Sequence, residues 1–367
     1  MGLLFTMPQS GGKERTLQLN FGVETVEASL PAEWHRQSLV QLTWPHAATD
    51  WAPMLDEVDD CYVRLAVAIA ARQPLLVVTP EPERVKELLY NKVDAGRVSF
   101  LECPINDTWA RDHAFLTMLT PQGPLLLDFC FNGWGMKFAA NWDNQINRRL
   151  FASGLLRGAY RSCLDFVLEG GAIESDGQGT LLTTTTCLTA PNRNETRNRQ
   201  DIEDYLKSLF HLRQVLWLDH GHLAGDDTDG HIDTLARLCP QDTIAYVRCT
   251  DSADEHYADL QAMEAQLRTF RTPDGRPYRL LPLPLPDPVV SDGERLPATY
   301  ANFLIMNEAV LLPTYAQPAK DDEAARVLAE AFPGREIVPV DCRALVKQHG
   351  SLHCATMQYP AGCFPNE

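Results

Sequence analysis

A cysteine close to the end of this 367-residue chain is the side chain best suited to covalent chemistry. Cys354 is preceded directly by His353 and follows a Gly350-Ser351 step, which allows close approach of the backbone. A nucleophilic cysteine needs a partly exposed, electropositive setting. By residue type alone, a buried structural role is the more common one for a cysteine. The case for Cys354 therefore depends on the groups that meet it in the fold.

A histidine and an aspartate in the middle of the chain offer an acid/base pair. His231 and Asp233 are separated by one residue, and a strand here would send both side chains to the same side. A histidine beside a carboxylate holds its proton near neutral pH, as a general acid that expels an amine must. The pair therefore predicts proton transfer to a nitrogen leaving group, although an ordinary surface strand has the same spacing.

Two further acids stand beside features that favour a binding site. Asp112 follows Trp109 and Arg111 closely. Glu169 ends an apolar run, and the two glycines after it leave open space. A simple ion pair with Arg111 is the alternative for Asp112, and a glutamate at a strand end is usually solvated. If both carboxylates meet the thiol and the imidazole, the group suits a cationic, planar substrate.

A competing hypothesis is a metal site. His220, His222, Asp226 and Asp227 precede His231 within twelve positions, and histidines with aspartates can bind zinc. Their spacing matches no common zinc motif, and loops of this composition also form simple bends. We therefore expect no metal.

The order of predicted elements repeats along the chain. Two apolar strands form a hairpin, an amphipathic helix follows, and one more strand ends the unit. The predicted units are residues 166–168, 180–188, 199–210 and 215–218; residues 231–238, 243–248, 254–270 and 278–283; and residues 300–306, 309–313, 321–332 and 336–340. A further hairpin is predicted at residues 114–119 and 124–129.

The two ends of the chain are expected to complete one more unit. A strand at residues 353–357 would join N-terminal elements: helices at 55–72 and 81–91 and strands at 75–79 and 98–101. The predicted fold is α/β, a five-bladed αβ-propeller of ββαβ units with pseudo-five-fold symmetry. In such a ring, side chains at the first strand of each unit converge on one central pocket. They are Asp112, Glu169, His231 and Cys354.

Domain organisation follows from the same pattern. Residues 1–30 form a weakly patterned extension, and residues 31–367 form a single catalytic domain. The proline-rich segment 280–294 is predicted to be a stiff connector. Residues 132–147, rich in Trp, Asn and Gly, are predicted to be irregular and to help cover the pocket.

Composition narrows the class of partner. The formal net charge of −17 and the pI near 5.0 disfavour nucleic acid and anionic membranes, because a polyanion would be repelled. A small cation would be attracted. The ten cysteines include no CxxC pair and are expected to be reduced. With no apolar run of about 18 residues, we expect a soluble, cytoplasmic protein.

Six motifs together resemble the agmatine deiminase and bacterial-type peptidylarginine deiminase family of the guanidino-group-modifying superfamily. They cover nearly the whole chain in the family's order: Pro31-Ala32-Glu33-Trp34, Trp44-Pro45, Asn106-Asp107-Thr108-Trp109-Ala110-Arg111-Asp112, Glu169-Gly170-Gly171, Asp229-Gly230-His231-Ile232-Asp233 and His353-Cys354-Ala355-Thr356. The chain departs from the family at Gln348-His349-Gly350-Ser351-Leu352, where a glycine-rich stretch is usual, and after Trp109. The residues of these two segments are expected to shape the part of the pocket that holds the substrate beyond its guanidinium group.

The resemblance implies a pentein-like, five-bladed propeller and hydrolysis of a guanidinium to a ureido group. Cys354 would be the nucleophile and His231 the general acid/base. Asp112, Glu169 and Asp233 would be the carboxylates around the substrate, and Trp109 would flank it. No cofactor or metal is implied, and closed propellers of this class often form homodimers.

The leading hypothesis is conversion of agmatine to N-carbamoylputrescine and ammonia through a covalent Cys354 thiouronium intermediate. The alternative within the class is deimination of peptidyl arginine or another guanidino compound. Outside the class, a metal-dependent hydrolase and a non-enzymatic guanidine-binding protein are retained as less favoured hypotheses.

Overall fold

The chain builds five small sheets on one plan. The computed structural model describes residues 28–365, so all but the last three residues of the predicted extension 1–30 lie outside the described residues. In each sheet two strands pair antiparallel, and the second pairs in parallel with a strand that follows a helix. A mixed α/β fold results.

The five sheets contain β1 (Gln37–Thr43), β2 (Leu75–Thr79) and β3 (Val98–Glu102) with β18 (Thr356–Pro360); β4 (Leu116–Thr120), β5 (Gly123–Cys130) and β6 (Ala159–Val167); β7 (Ile173–Ser175), β8 (Thr180–Thr184) and β9 (Gln214–Leu218); β10 (Ala236–Cys239), β11 (Thr243–Arg248) and β12 (Arg279–Pro284); and β15 (Leu304–Ile305), β16 (Ala309–Thr314) and β17 (Glu336–Asp341). A small separate hairpin pairs β13 (Val290–Ser291) with β14 (Glu294–Arg295).

Helices connect the parallel strands within each sheet, and two short helices instead precede the first strands β4 and β18. The helices are α1 (Leu55–Ala70), α2 (Pro82–Leu89), α3 (Ala110–His113), α4 (Gly133–Met136), α5 (Asp143–Ser153), α6 (Thr185–Leu188), α7 (Arg199–Phe210), α8 (Tyr257–Leu267), α9 (Pro318–Ala331) and α10 (Arg343–Val346). Single turns of 3₁₀ helix lie at Ala52–Met54, Ala95–Arg97, Gly170–Ala172 and Ile232–Thr234. Among residues 28–365, no helix has both the length and the apolar character needed to cross a bilayer.

Local sequence explains why the long helices form where they do. Helix α7 begins after Asn198. The Asn198 side chain accepts a hydrogen bond from the backbone N–H of Asp201, and the Asp201 side chain accepts one from the backbone N–H of Asn198. This reciprocal pair satisfies two N–H groups that the first turn leaves free. Ile202, Leu206 and Leu209 then form its buried face. The predicted helix 199–210 is confirmed, as is the predicted strand 75–79, an apolar run buried along its whole length.

Three predicted first strands were wrong in position. Residues 166–168 lie at the end of β6, which pairs with β5, and the true partner of β8 is β7. In the segment 231–238, a 3₁₀ turn occupies residues 232–234 and β10 begins only at Ala236. Strand β18 begins at Thr356 rather than at residue 353. Apolar residues in these turns continue the strand pattern, so periodicity extended each strand too far towards its N-terminus.

Two predicted loops contain regular structure. The segment 132–147 was predicted to be irregular, yet α5 begins at Asp143. The segment 280–294 was predicted to be a connector, but its first residues belong to β12, where Pro282 and Pro284 pair with β11. A proline is tolerated there because β12 is an edge strand, whose outer N–H positions need no partner. Strands β1 and β6 were not predicted.

The first strand of each sheet begins directly after a short turn. Each turn carries a polar side chain two to five residues before its strand: Asp112 in α3 before β4, Glu169 before β7, His231 before β10, Asn302 before β15 and Cys354 before β18. The repeated plan therefore delivers five polar residues from five sheets to one region of the fold.

Candidate active site

Cys354 lies in the turn before β18 and is almost fully buried, with 6% of its surface exposed. Its Sγ is 3.4 Å from Oδ1 of Asn302 and 4.0 Å from Oδ2 of Asp233. Oδ1 of Asn302 also accepts from the backbone N–H of Cys354. Sequence reasoning missed Asn302, although a signal existed: Asn302 stands two residues before β15, as Cys354 stands two residues before β18.

His231 is enclosed between two carboxylates. Its Nδ1 lies 3.7 Å from Oδ1 of Asp112, and its Nε2 lies 3.8 Å from Oε2 of Glu169. Neither ring nitrogen has a hydrogen-bond partner within the described part of the chain, although the ring is buried. Burial alone would lower the pKa of His231, but Asp112, Cys187 and Glu169 together raise it well above its ordinary value. The imidazole is therefore protonated at neutral pH.

Asp112 is held in place by two donors. Its Oδ1 accepts from the backbone N–H of Gly171 at 3.0 Å, and its Oδ2 accepts from Nε1 of Trp134 at 2.9 Å. Burial raises the pKa of Asp112 to about 6, although His231 opposes the rise. The ion pair with Arg111 considered for Asp112 is not seen, because Arg111 lies beside Glu33 instead.

Glu169 forms a pair that the sequence did not reveal. Nε of Arg193 lies 3.1 Å from each carboxylate oxygen of Glu169, and both side chains are fully buried. Arg193 and His231 lower the pKa of Glu169 against the opposing effect of burial. Arg193 also reaches Asp229 at 2.5 Å. Glu169 thus lies beside His231 and is not part of the cavity wall.

Asp233 has one engaged oxygen and one free oxygen. Its Oδ2 accepts from Nδ1 of His353 at 2.7 Å. Its Oδ1 is buried without a hydrogen-bond partner among residues 28–365. Burial opposes ionisation, yet His353 lowers the pKa of Asp233 below its ordinary value. An ionised carboxylate with an unpaired oxygen beside Cys354 is a ready acceptor for a cationic N–H donor.

A cavity of about 180 Å³ leads to Cys354. Its walls combine aromatic rings with carboxylates; they include Trp109, Trp134, Phe138, Asp50, Asp107, Asp112 and Asp227. Gly350 packs against Trp109 so closely that a Cβ would lie 2.4 Å from the ring. A larger cavity of about 520 Å³ lies near β12 and contains neither Cys354 nor His231.

The acids of the site suppress ionisation of the thiol. Burial, followed by the charges of Asp233 and Asp112, raises the pKa of Cys354 well above its ordinary value, while His231 partly offsets this rise. The thiol is therefore neutral at pH 7 as long as no cation enters. A positive ligand beside these carboxylates would remove their unfavourable effect on the thiolate.

The predicted histidine-rich loop does not form a metal site. Oxygens of Asp226 accept from the backbone of Thr228 and Gly230, which closes a turn. His220 and His222 are exposed. In the described range, the groups with metal-ligand spacing are instead Glu169, Cys187 and His231, and Glu33, Glu174 and His353. Arginines already neutralise the acids of both groups, since Arg193 pairs with Glu169 and Arg237 with Glu33 and Glu174.

Gly171 is expected to be essential for the geometry of the site. A Cβ at this position would lie 2.5 Å from Nδ1 of His231 and 2.9 Å from Oδ1 of Asp112. We expect Gly171→Ala to lower kcat by about 100-fold, the order of loss that a 1 Å displacement causes. Gly96→Ala is a matched control, because a Cβ there meets only the Asp94 side chain at 3.3 Å. Unchanged turnover of Gly171→Ala would show that the imidazole tolerates displacement.

The family model for the Porphyromonas-type peptidyl-arginine deiminases matches residues 29–360. The chain belongs to this family. The agmatine deiminase of Stutzerimonas stutzeri is 32% identical over 356 residues, covering 90% of this chain and 95% of that protein.

Solved structures agree with this assignment. A Porphyromonas gingivalis protein provisionally named an arginine deiminase is 54% identical, with a TM-score of 0.87 over 92% of this chain and all of that one. A cysteine-to-serine variant of C. jejuni agmatine deiminase with substrate bound is 37% identical, with a TM-score of 0.85 over 90% of this chain and 96% of that one. The names of these relatives agree on deimination and differ on the substrate.

Proposed function

We propose that this protein hydrolyses agmatine to N-carbamoylputrescine and ammonia. The observation that carries the proposal is the meeting of a buried thiol, a protonated imidazole and two carboxylates at the end of an acidic cavity. Agmatine deiminases at 32% and 37% identity support the same reaction. The proposal includes the predicted site roles of Cys354, His231, Asp112 and Asp233, and a revised role for Glu169.

The site suits the shape and charge of a guanidinium. A guanidinium is planar, always charged and rich in N–H donors, so carboxylates bind its edges and leave its face open. Oδ1 of Asp233 lacks a partner in the described chain, and Asp112 lies in the cavity wall. Trp109 and Trp134 offer aromatic faces to the cation. Cys354 would then stand over the open face of the substrate.

The reaction can be written with this chain's own groups and water. The Cys354 thiolate adds to the central carbon of the guanidinium, and His231 gives a proton to the departing ammonia. The covalent thiouronium intermediate is then attacked by water, from which the same imidazole takes a proton. Breaking the C–S bond releases the ureido product and restores the thiolate, while the hydroxyl proton of the intermediate passes to solvent and is taken up by the released ammonia as ammonium. Atoms and charges then balance without a cofactor or metal.

Glu169 has a more specific role in this scheme than the sequence suggested. Because it faces His231 and Arg193, it would stabilise the imidazolium and fix the ring rather than bind the substrate. A buried charge that is paired and hydrogen-bonded keeps its geometry. We therefore assign substrate binding to Asp112 and Asp233, with Trp109 on the wall.

The fold supports this arrangement if the five sheets surround one axis. Five sheets share one order of strands, and β1 with β18 joins the two chain ends. We therefore propose the five-bladed αβ-propeller predicted from the sequence, with residues 31–367 as one catalytic domain. We also propose that the protein is cytoplasmic and that it forms a homodimer.

The mouth of the cavity favours agmatine over free arginine. Asp50, Asp107 and Asp227 line it together. Burial, with Asp143, Asp50 and Asp227 nearby, raises the pKa of Asp107 to about 8. An ammonium group here would relieve the crowding of negative charge, whereas the α-carboxylate of arginine would add to it.

Product analysis with three substrates tests the proposal. Ammonia and the ureido product are measured with agmatine, arginine and an arginyl peptide at equal concentration. We expect the highest kcat/KM with agmatine. Turnover of the peptide without turnover of agmatine would assign the protein to peptidyl arginine instead.

The two hypotheses outside the class give different results. A metal-dependent hydrolase would lose activity with a chelator and keep it after thiol alkylation. A guanidine-binding protein would bind agmatine without releasing ammonia. Either outcome would overturn the proposed reaction.

A further inference from the structure

His353, the residue before the nucleophile, is buried between two carboxylates. Its Nδ1 lies 2.7 Å from Oδ2 of Asp233, and its Nε2 lies 2.7 Å from Oε2 of Glu33. The side chains of all three residues are at most 7% exposed. Asp233 is separated from His353 by 120 positions and Glu33 by 320, so the contacts depend on the closed tertiary fold.

The contacts of the ring define how His353 holds Asp233. The carboxylate oxygen Oδ2 of Asp233 is an acceptor, so Nδ1 of His353 donates to it. At the other edge of the ring, Nε2 lies 2.7 Å from Oε2 of Glu33 and 3.0 Å from Nη2 of Arg237. A carboxylate and a guanidinium therefore hold the far edge of the ring.

These contacts also fix the orientation of the Asp233 carboxylate. Because His353 engages Oδ2, the carboxylate cannot rotate freely. The same Oδ2 lies 4.0 Å from Sγ of Cys354, and Oδ1 has no hydrogen-bond partner among the described residues. Behind the ring, Arg237 bonds to Glu33 at 2.9 Å and to the backbone carbonyl of Phe303 at 2.5 Å. The backbone N–H of His353 donates to Oδ1 of Asn302 at 2.9 Å. The imidazole is thus fixed on both sides.

We propose that His353 is a positioning residue, fixed by Glu33 and Arg237, which donates to Oδ2 of Asp233 and holds this carboxylate in place beside Cys354 to bind the guanidinium. The inference rests on the proposed function, because it assigns a purpose to Asp233 in binding the substrate. His353 does not touch the reacting atoms itself. Its effect is expected mainly in substrate binding and only secondarily in the chemical step.

Substrate binding in a non-reacting background separates these effects. Agmatine affinity is measured by calorimetry with Cys354→Ala alone and with His353→Ala or His353→Asn added. The asparagine keeps a donor near the Nδ1 position and lacks the Glu33 contact. We expect affinity to fall at least about 10-fold with alanine, the effect of a lost charge-assisted hydrogen bond, and less with asparagine. Equal affinity in all three proteins would overturn the proposal.

A matched control comes from a second buried histidine–aspartate pair. Nδ1 of His256 lies 2.8 Å from Oδ1 of Asp254, and neither residue lines the cavity that leads to Cys354. His256→Asn in the same background is expected to leave agmatine affinity unchanged. A loss equal to that of His353→Asn would indicate a general effect of stability and would count against a positioning role.

A spectroscopic measurement keeps the inference testable if the alanine variant does not fold. In full-length wild-type protein labelled with ¹⁵N-histidine, we expect Nδ1 of His353 to carry a proton that is hydrogen-bonded to Asp233. The signal is assigned by its loss in His353→Asn. An Nδ1 without a proton in the wild type would overturn the inference. This result does not depend on turnover, so it remains informative if agmatine is not the substrate.

Discussion

Replacing Cys354 with serine is expected to abolish turnover, with a loss of roughly 10⁴-fold or more in kcat. The serine keeps the size of the side chain and its contact with Asn302, but an alcohol ionises far less readily than a thiol. In this site even the thiol is difficult to ionise, because burial, Asp233 and Asp112 raise the pKa of Cys354. Ammonia release from agmatine measures the effect. Wild-type rates from Cys354→Ser would rule out covalent catalysis by this residue.

The raised thiol pKa leads to a distinctive pattern of alkylation. A neutral reagent such as iodoacetamide meets a protonated thiol at pH 7, so it should label Cys354 slowly and faster as the pH rises. A haloacetamidine carries an amidinium that resembles the substrate cation, offsets the charges of Asp233 and Asp112, and should label Cys354 rapidly. Mass spectrometry locates the label. Faster labelling by iodoacetamide at pH 7 would show that the thiolate forms without a cation.

Cys249 provides the control for both measurements. It is buried like Cys354, and its thiol bonds to the backbone of Asp251 away from the cavity that leads to Cys354. Cys249→Ser is expected to keep full activity and to leave haloacetamidine labelling unchanged. Loss of activity in this variant would point to a general sensitivity of the fold to cysteine replacement.

Local patterns were sufficient to predict most of the element order. The apolar run at residues 75–79 and the capped helix at residues 199–210 are specified by neighbouring residues alone. Turns were less predictable. Ile232 continues the apolar pattern of β10, but residues 232–234 form a 3₁₀ turn that presents His231 and Asp233 to the site. His231 and Asp233 thus lie in a turn and not, as predicted, in a strand.

The supporting residues of the site could not be predicted, because their roles depend on distant contacts. Arg193 matters through Glu169, 24 positions away, and His353 through Glu33, 320 positions away. Neither pair has a local sequence signature. Asn302 is the exception, since the repeat places it two residues before a first strand, as it places Cys354. A search for polar residues at equivalent positions of the repeat would have found it.

The names of related proteins leave the substrate tail open, and the acids at the cavity mouth bear on that question. Relatives at 54% and 37% identity carry the names of an arginine deiminase and an agmatine deiminase. The guanidinium end is common to both substrates. The two substrates differ at the far end, and in this chain Asp50, Asp107 and Asp227 line the cavity. Three carboxylates favour an amine at that end over a carboxylate.

Replacing His231 with glutamine is expected to lower kcat by about 10²–10⁴-fold, the usual contribution of a general acid and base. Asp112, Cys187 and Glu169 raise the pKa of His231 despite its burial, so the ring of the wild type is charged at neutral pH and can protonate ammonia. Since the proton is lost as the pH rises through this raised pKa, the wild-type ammonia-release step should slow on the alkaline side. In His231→Gln this step should be slow at every pH.

The exposed His220 is the matched control, because it lies in the loop considered for metal binding and outside the catalytic group. His220→Gln should keep full activity, whereas a loss equal to that of His231→Gln would support the metal-dependent hydrolase.

Intact-mass measurement during turnover distinguishes the two proposed roles of His231, protonation of ammonia and activation of water. A covalent adduct that accumulates in His231→Gln would mean that water activation limits the reaction. Absence of both adduct and product would mean that ammonia release limits it, and wild-type turnover would remove His231 from the mechanism.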